Sequence, residues 1–328
     1  VPLVLTYDNE SLQDGLGSQA LRILGIYSIA KVFFIRYQHT PIKEFIEERA
    51  HGLTGKRSES RLLNQVNEFF HFPSSTLKSN NFEILTMRNI SGKTLLKLKL
   101  RHLFTRRIVV LRLLLPFNIT DRLPRIYSIG VRHLRRQHRQ LLVQKDITVV
   151  HVRRGYGYLY SEKSSLRPRH LPFKYYSSVL ECVAKKKYGD TFQVIVHTDL
   201  SPTQTKWRPF QKKVGAAIER IQKTKSRSDG FNLPGVNLRE TISFPMNAIV
   251  RIEYCSDFMK TFLDMCNCTI LVQSKSSFSY LAGLVNSGLV IWPSSHGHSK
   301  KPGWLDSTEL GLDPERFIPL IEGSPERL

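Results

Sequence analysis

The chain has 328 residues, with 49 lysines and arginines against 27 acids, and a formal net charge of +22. Hydrophobic residues at 41% and aromatics at 10% exclude a chain held open by its own charge, and the length suits two domains or one large α/β domain. Four cysteines, none in a C-x-x-C pair, exclude a disulfide scaffold and do not indicate a structural metal.

Residues 2–7 form a short apolar run that reads as a strand, followed by a polar, glycine-containing loop over 8–17 and a long apolar helical pattern over 19–35. Helical patterns follow at 42–50 and 58–70, and residues 82–87 alternate like a strand. Between residues 97 and 145 thirteen basic residues face one acid, Asp121, so this stretch carries about half of the net charge. A solvated helix face, a wall of an anion site and a nucleic-acid surface all fit that composition.

Beyond it the order becomes regular. Strands are predicted at 147–152, 192–196, 269–272 and 287–292, and helices at 175–187, 207–221, 256–265 and 280–285. Such alternation implies parallel strands with crossover helices. Residues 230–235 and 292–303 read as loops from their Gly, Pro, Ser and Asn content.

In parallel sheets ligands bind beyond the carboxyl ends of the strands. Polar clusters follow four of the predicted strands: residues 8–19, His151-Val-Arg-Arg-Gly155, His197-Thr-Asp199 and Ser274-Lys-Ser-Ser-Phe-Ser279. Arg153 and Arg154 would bring guanidinium forks to the sheet edge, matched to phosphate oxygens; the plainer alternative is a carboxylate partner, yet no acid lies between Asp146 and Glu162. The serines beside Lys275 stand where a helix begins and would bind an anion or cap the helix. Gly15-Leu-Gly-Ser-Gln19 also sits between strand and helix, but it is neither a full G-x-G-x-x-G fingerprint nor a P-loop, and a tight turn explains it as well.

Together these segments resemble the fucosyltransferase superfamily, most closely the α-1,2-fucosyltransferases of glycosyltransferase family 11. The segment 15–19 with the helix after it resembles that family's Gly-x-Gly-Asn-Gln opening, and 151–156 its His-x-Arg-Arg-Gly-Asp segment. Residues 257–268 resemble its Asp-x-x-x-hydrophobic segment, and 274–282 its Asn-Ser-Ser/Thr-Phe-Ser-Trp-Trp-Ala segment. The resemblance covers roughly residues 1–35 and 146–292, and four positions depart from it: Tyr156 for Asp, Ser18 for Asn, and Tyr280-Leu281 for the paired Trp.

The resemblance implies an α/β, GT-B-like fold of two Rossmann-like domains with the donor cleft between them. Residues 1–145 would form the acceptor-side domain, 146–292 the nucleotide-sugar-binding domain, and 293–328 a C-terminal extension. The reaction implied is transfer of fucose from GDP-fucose to a sugar hydroxyl with inversion, without a metal or other cofactor. Arg153 and His151 would be catalytic, with Arg153 on the pyrophosphate. Gly15, Gly17, Ser18, Gln19, Arg154, Asp199, Ser274, Ser276, Ser277 and Phe278 would hold the donor, with Gly15 and Gly17 lining the cleft. Asp8, Glu10, Asp14 and His151 are the groups considered for a general base, and none is assigned.

The partners implied are a nucleotide sugar and a glycan acceptor. Two rivals stand beside this reading: a homologue that binds a diphosphate nucleotide without turnover, favoured by Tyr156, and a basic nucleic-acid-binding protein, which explains the charge but not the strand-end clusters. Asn-x-Ser/Thr triplets at Asn9, Asn89, Asn118 and Asn267 suit a Golgi or secretory lumen, whereas a microbial or viral source would place the chain in the cytoplasm. The most apolar stretches, 20–35 and 108–117, carry Arg22, Lys31 and Arg112, so a membrane would be reached only through an N-terminal anchor outside this sequence.

Overall fold

The computed structural model describes residues 3–8, 15–43, 56–75, 82–87, 91–101, 108–113, 124–153, 171, 173–186, 190–199, 238–254, 257–294 and 297–312. The predicted helix at 207–221, the loop at 230–235 and most of the helix at 42–50 lie outside these residues.

A four-stranded sheet forms from β1 (Leu3–Tyr7), β2 (Arg36–Tyr37), β3 (Phe82–Met87) and β4 (Ile108–Leu113) in the order β2-β1-β4-β3, with every pairing parallel. β1 is buried along its whole length, as expected of a parallel strand covered on both faces. The helix after it, α1 (Leu16–Val32), is apolar nearly all round and buried from Leu16 to Ala30, so it runs through the interior. This half of the chain also carries α2 (Lys56–Phe69), α3 (Gly92–Arg101) and α4 (Pro124–Gln137), of which α4 packs along α1.

α1 ends in a Schellman motif. The Ile35 N–H donates to Ala30 O and the Phe34 N–H to Lys31 O, which puts Phe34 in the left-handed region at φ 52°. Glycine normally takes that position; a residue with a Cβ costs about 1 kcal/mol there.

The second sheet contains β5 (Lys145–Val152), β6 (Phe192–Thr198), β7 (Ala248–Tyr254), β8 (Cys268–Val272), β9 (Leu289–Trp292) and β10 (Leu305–Asp306). All its pairings are parallel, in the order β10-β9-β8-β5-β6-β7. The chain therefore builds outward from β5 to β7, returns to β5, and builds outward on its other side. That is the doubly wound order, and it leaves a topological switch point between β5 and β8.

Helices α5 (Phe173–Lys186), α6 (Leu238–Thr241), α7 (Phe258–Asn267), α8 (Ser277–Val285) and α9 (Ser307–Leu312) complete the described elements. Residues 305–312, placed in an extension by sequence, add β10 to the sheet, and Leu305 and Leu310 are buried in its core. β7 was not anticipated: it is an edge strand of the described sheet, in which Val250, Ile252 and Tyr254 alternate with Arg251 and Glu253.

One apolar core runs through both sheets. It joins Leu3, Leu5 and Leu111 of the first sheet to Val149 and Leu271 of the second through α1, α7 and α8. A second core, with Val150, Val194 and Tyr176, covers the other face of the second sheet.

Candidate functional site at the β5 and β8 strand ends

The parallel register pairs Val150 with Val272, so the residues that follow both strands emerge side by side. His151 Nδ1 pairs with Ser274 Oγ at 2.7 Å, and one Arg153 guanidinium nitrogen donates to Ser276 Oγ at 2.9 Å. These contacts cross the switch point between residues 123 apart in the chain.

The turn from β8 into α8 is held by its own serines. The Ser276 N–H donates to Ser274 O at 2.8 Å, and Ser276 Oγ caps α8 by accepting from the Phe278 N–H at 3.3 Å. The Ser279 hydroxyl donates back to the carbonyls of Ser274 and Ser276. Ser274, Ser276 and Ser279 are buried, whereas Arg153, Lys275 and Ser277 are half-buried. The buried serines thus shape the turn, and the rim carries its cations.

The N-terminus of α1 meets that of α8. Gly17 packs so tightly that a Cβ there would lie 2.4 Å from Phe278 N and 2.7 Å from the carbonyl carbon of Ser277. At Gly17, expected to line the donor cleft, the missing side chain serves the close approach of the two helices. Beside it the Ser18 hydroxyl donates to Ser277 Oγ at 3.3 Å. Neither helix has an acid in its first turn, so two positive dipole ends converge next to Arg153 and Lys275. Burial pulls the Lys275 ammonium below its ordinary pKa, a shift that a bound anion would oppose.

His298 was not singled out by sequence. It is buried, pairs through Nε2 with Ser277 Oγ at 3.1 Å, and stacks on Tyr280 at 4.1 Å between ring centroids. It lies in the 292–303 loop, whose position after β9 puts it at the same sheet edge; that position was the available signal. Nearby, the Lys301 ammonium sits over the rings of Tyr127 from α4 and Tyr280 from α8, joining the two halves.

Gln19 is buried and accepts from the Tyr7 hydroxyl, and Gly15 is half-buried at the N-cap of α1. The half-buried Phe278 ring, expected to hold the donor, lies edge-on to His151 at 5.8 Å and packs 4.1 Å from Phe258 and 5.7 Å from Phe262 against the apolar core. Asp199 follows β6 one residue beyond the Val152–Thr198 pair, half-buried at the same edge as Arg153. His197 turns away into the fold, bonded to Asp264 at 3.1 Å and paired with Thr261 at 3.3 Å. Asp257 caps α7 through the Lys260 N–H. Arg154, Tyr156, Glu10 and Asp14 lie outside the described residues.

Part of the basic segment has structural work. Lys99 donates to Phe33 O at the end of α1, and Arg135 donates to Val285 O and Asn286 O at the end of α8, each a cation on a helix C-terminus. Lys97, Arg101, Arg132, Arg136, Arg139 and Lys145 are exposed. Asn267 is buried with its amide donating to Leu141 O, which removes it as a glycan acceptor in this fold; the other three triplets lie outside the described residues.

Among the described residues no helix is long and apolar enough to cross a membrane, and no group of His, Cys, Asp or Glu is arranged to hold a metal ion. Comparison with protein-family models and with curated proteins finds no match.

Proposed function

We propose that this protein binds a nucleoside diphosphate sugar at the β5–β8 switch point and transfers the sugar to a hydroxyl of a glycan acceptor. The observation that carries the reading is the Arg153–Ser276 bond across the switch point, beside the N-termini of α1 and α8. Fucose as the sugar, GDP as the nucleotide, inversion at the anomeric carbon and a GT-B arrangement rest on the resemblance of residues 15–19, 151–156 and 274–282 to the α-1,2-fucosyltransferases.

As the glycosidic bond breaks, positive charge grows on the sugar and negative charge on the leaving diphosphate. A half-buried guanidinium, the N-termini of α1 and α8 and the Lys275 ammonium are groups fixed in advance where that negative charge would develop. They supply the compensation that a divalent cation would otherwise give. His151, locked by Ser274, would stand beside the diphosphate.

The test is thermal denaturation with GDP, GDP-fucose and other nucleotide sugars, in the presence of a chelator. GDP and GDP-fucose should raise the melting temperature without added metal, and GDP-fucose should be hydrolysed or transferred. Stabilisation without turnover would identify the non-catalytic nucleotide-binding reading. No shift with any nucleotide, and no effect of Arg153→Ala, would refute the site. Two inward-facing cations of the basic segment, Lys99 and Arg135, weigh against that whole segment being a nucleic-acid track.

A further inference from the structure

The end of α1 remote from the switch point carries a surface that the transferase reading does not use. α1 has 17 residues and so spans about 25 Å, which sets Phe34 far from the strand-end site. Phe34 is 84% exposed and held at φ 52°, the position of the Schellman motif that favours glycine. A bulky aromatic ring displayed to water on an unfavourable backbone calls for a reason outside the fold's own packing.

α3 lies against this turn. Lys99 reaches from it to Phe33 O and sits 5.9 Å from the Phe34 ring, and Gly92 abuts the Phe33 ring. Only Leu95 of α3 is fully buried, while Leu96 and Leu100, one turn apart, are 52% and 59% exposed. Lys93, Lys97 and Arg101 are exposed on the same helix, and Lys31 and Arg36 flank Phe34. Residues 31–43 and 91–101 contain no acid.

We infer that this surface docks on an anionic membrane interface, with Phe34, Leu96 and Leu100 entering the headgroup boundary and the surrounding lysines and arginines meeting lipid phosphates and carboxylates. Charge complementarity selects an anionic partner. The aliphatic side chains among the cations select lipid over nucleic acid, since a phosphate backbone offers Leu96 and Leu100 nothing to bury against. The described residues show Phe34 standing out at a turn, the shape of an inserting anchor. Docked this way, the molecule would hold its strand-end site away from the bilayer.

The test is co-sedimentation of the full chain with vesicles of phosphatidylcholine alone and of phosphatidylcholine with phosphatidylserine, at low and high salt. Binding should require phosphatidylserine and weaken as salt rises. Phe34→Gly should lower partitioning by about tenfold or more while leaving the melting temperature unchanged or raised, so loss of binding is separated from loss of folding. The pair Lys93→Glu and Lys97→Glu should abolish the preference for anionic vesicles. Equal partitioning of the wild type and Phe34→Gly, or no preference for phosphatidylserine, would overturn the inference. So would a wild type that ignores vesicles but loses affinity for RNA or polyglutamate when the patch is altered.

Discussion

Gly17→Ala tests the joint between the two halves directly. On an ordinary helix face this change stabilises, by up to about 1 kcal/mol, because alanine is the better helix former. Here the added Cβ would lie 2.4 Å from Phe278 N, 2.7 Å from Phe278 Cα and 2.7 Å from Ser277 C, all backbone atoms that no rotamer change can move. Ordinary contact begins near 3.4 Å, so the α1 and α8 N-termini must part by roughly 1 Å. Forcing atoms into a packed core costs up to about 3 kcal/mol where the neighbours are backbone, and after the propensity gain of up to about 1 kcal/mol the expected net change is a loss of about 2 kcal/mol. Parting the helices also pulls Ser277 from Ser18, so GDP stabilisation should shrink with the melting temperature. Thermal and urea denaturation, each with and without GDP, measure both effects. A variant as stable as the wild type, or more stable, would refute the close approach and with it the converging helix ends.

Arg153→Lys should retain part of the GDP response and Arg153→Ala should lose about tenfold or more in affinity, because one point charge cannot reproduce a guanidinium fork; titration calorimetry reads this. Arg135→Ala leaves the Val285 and Asn286 carbonyls without their cation and should cost about 1–3 kcal/mol in urea denaturation, with GDP binding largely kept. For Asp264, burial alone would raise the carboxyl pKa, but the hydrogen bond and charge of His197, with Lys260 and Lys145, more than offset it and hold it below its usual 3.8. A depressed folded pKa means this stabilisation is present above the ordinary carboxylate value and is lost as pH falls through the lower one. Asp264→Asn should therefore flatten the acid limb of stability against pH at constant ionic strength, and an unchanged limb would count against the pairing.

The strand and helix pattern was legible because it is local. Short apolar runs such as residues 149–150 and 270–272 suit strands covered on both faces, and the long 20–30 segment, apolar apart from Arg22 and Ser28, suits an interior helix. The edge strand β7 was missed although Val250-Arg251-Ile252-Glu253-Tyr254 alternates; its charged positions, Arg251 and Glu253, pair with each other and leave it only the apolar content of a half-covered strand at the edge of the described sheet. Composition placed the cations, but whether Lys99 and Arg135 served water or a helix end depended on which carbonyls came near them.

The sequence by itself determined that polar clusters with Arg153, His151 and the serines of 274–279 would follow buried parallel strands. Only the tertiary structure decided that β8 inserts beside β5, ahead of any nearer choice, and so joins Arg153 to Ser276 and His151 to Ser274 across 123 residues. It also decided that Gly17 closes a joint and that His298 belongs beside Ser277. Periodicity and capping act within a few residues, whereas strand order and helix contact are set by which apolar faces bury together along the whole chain.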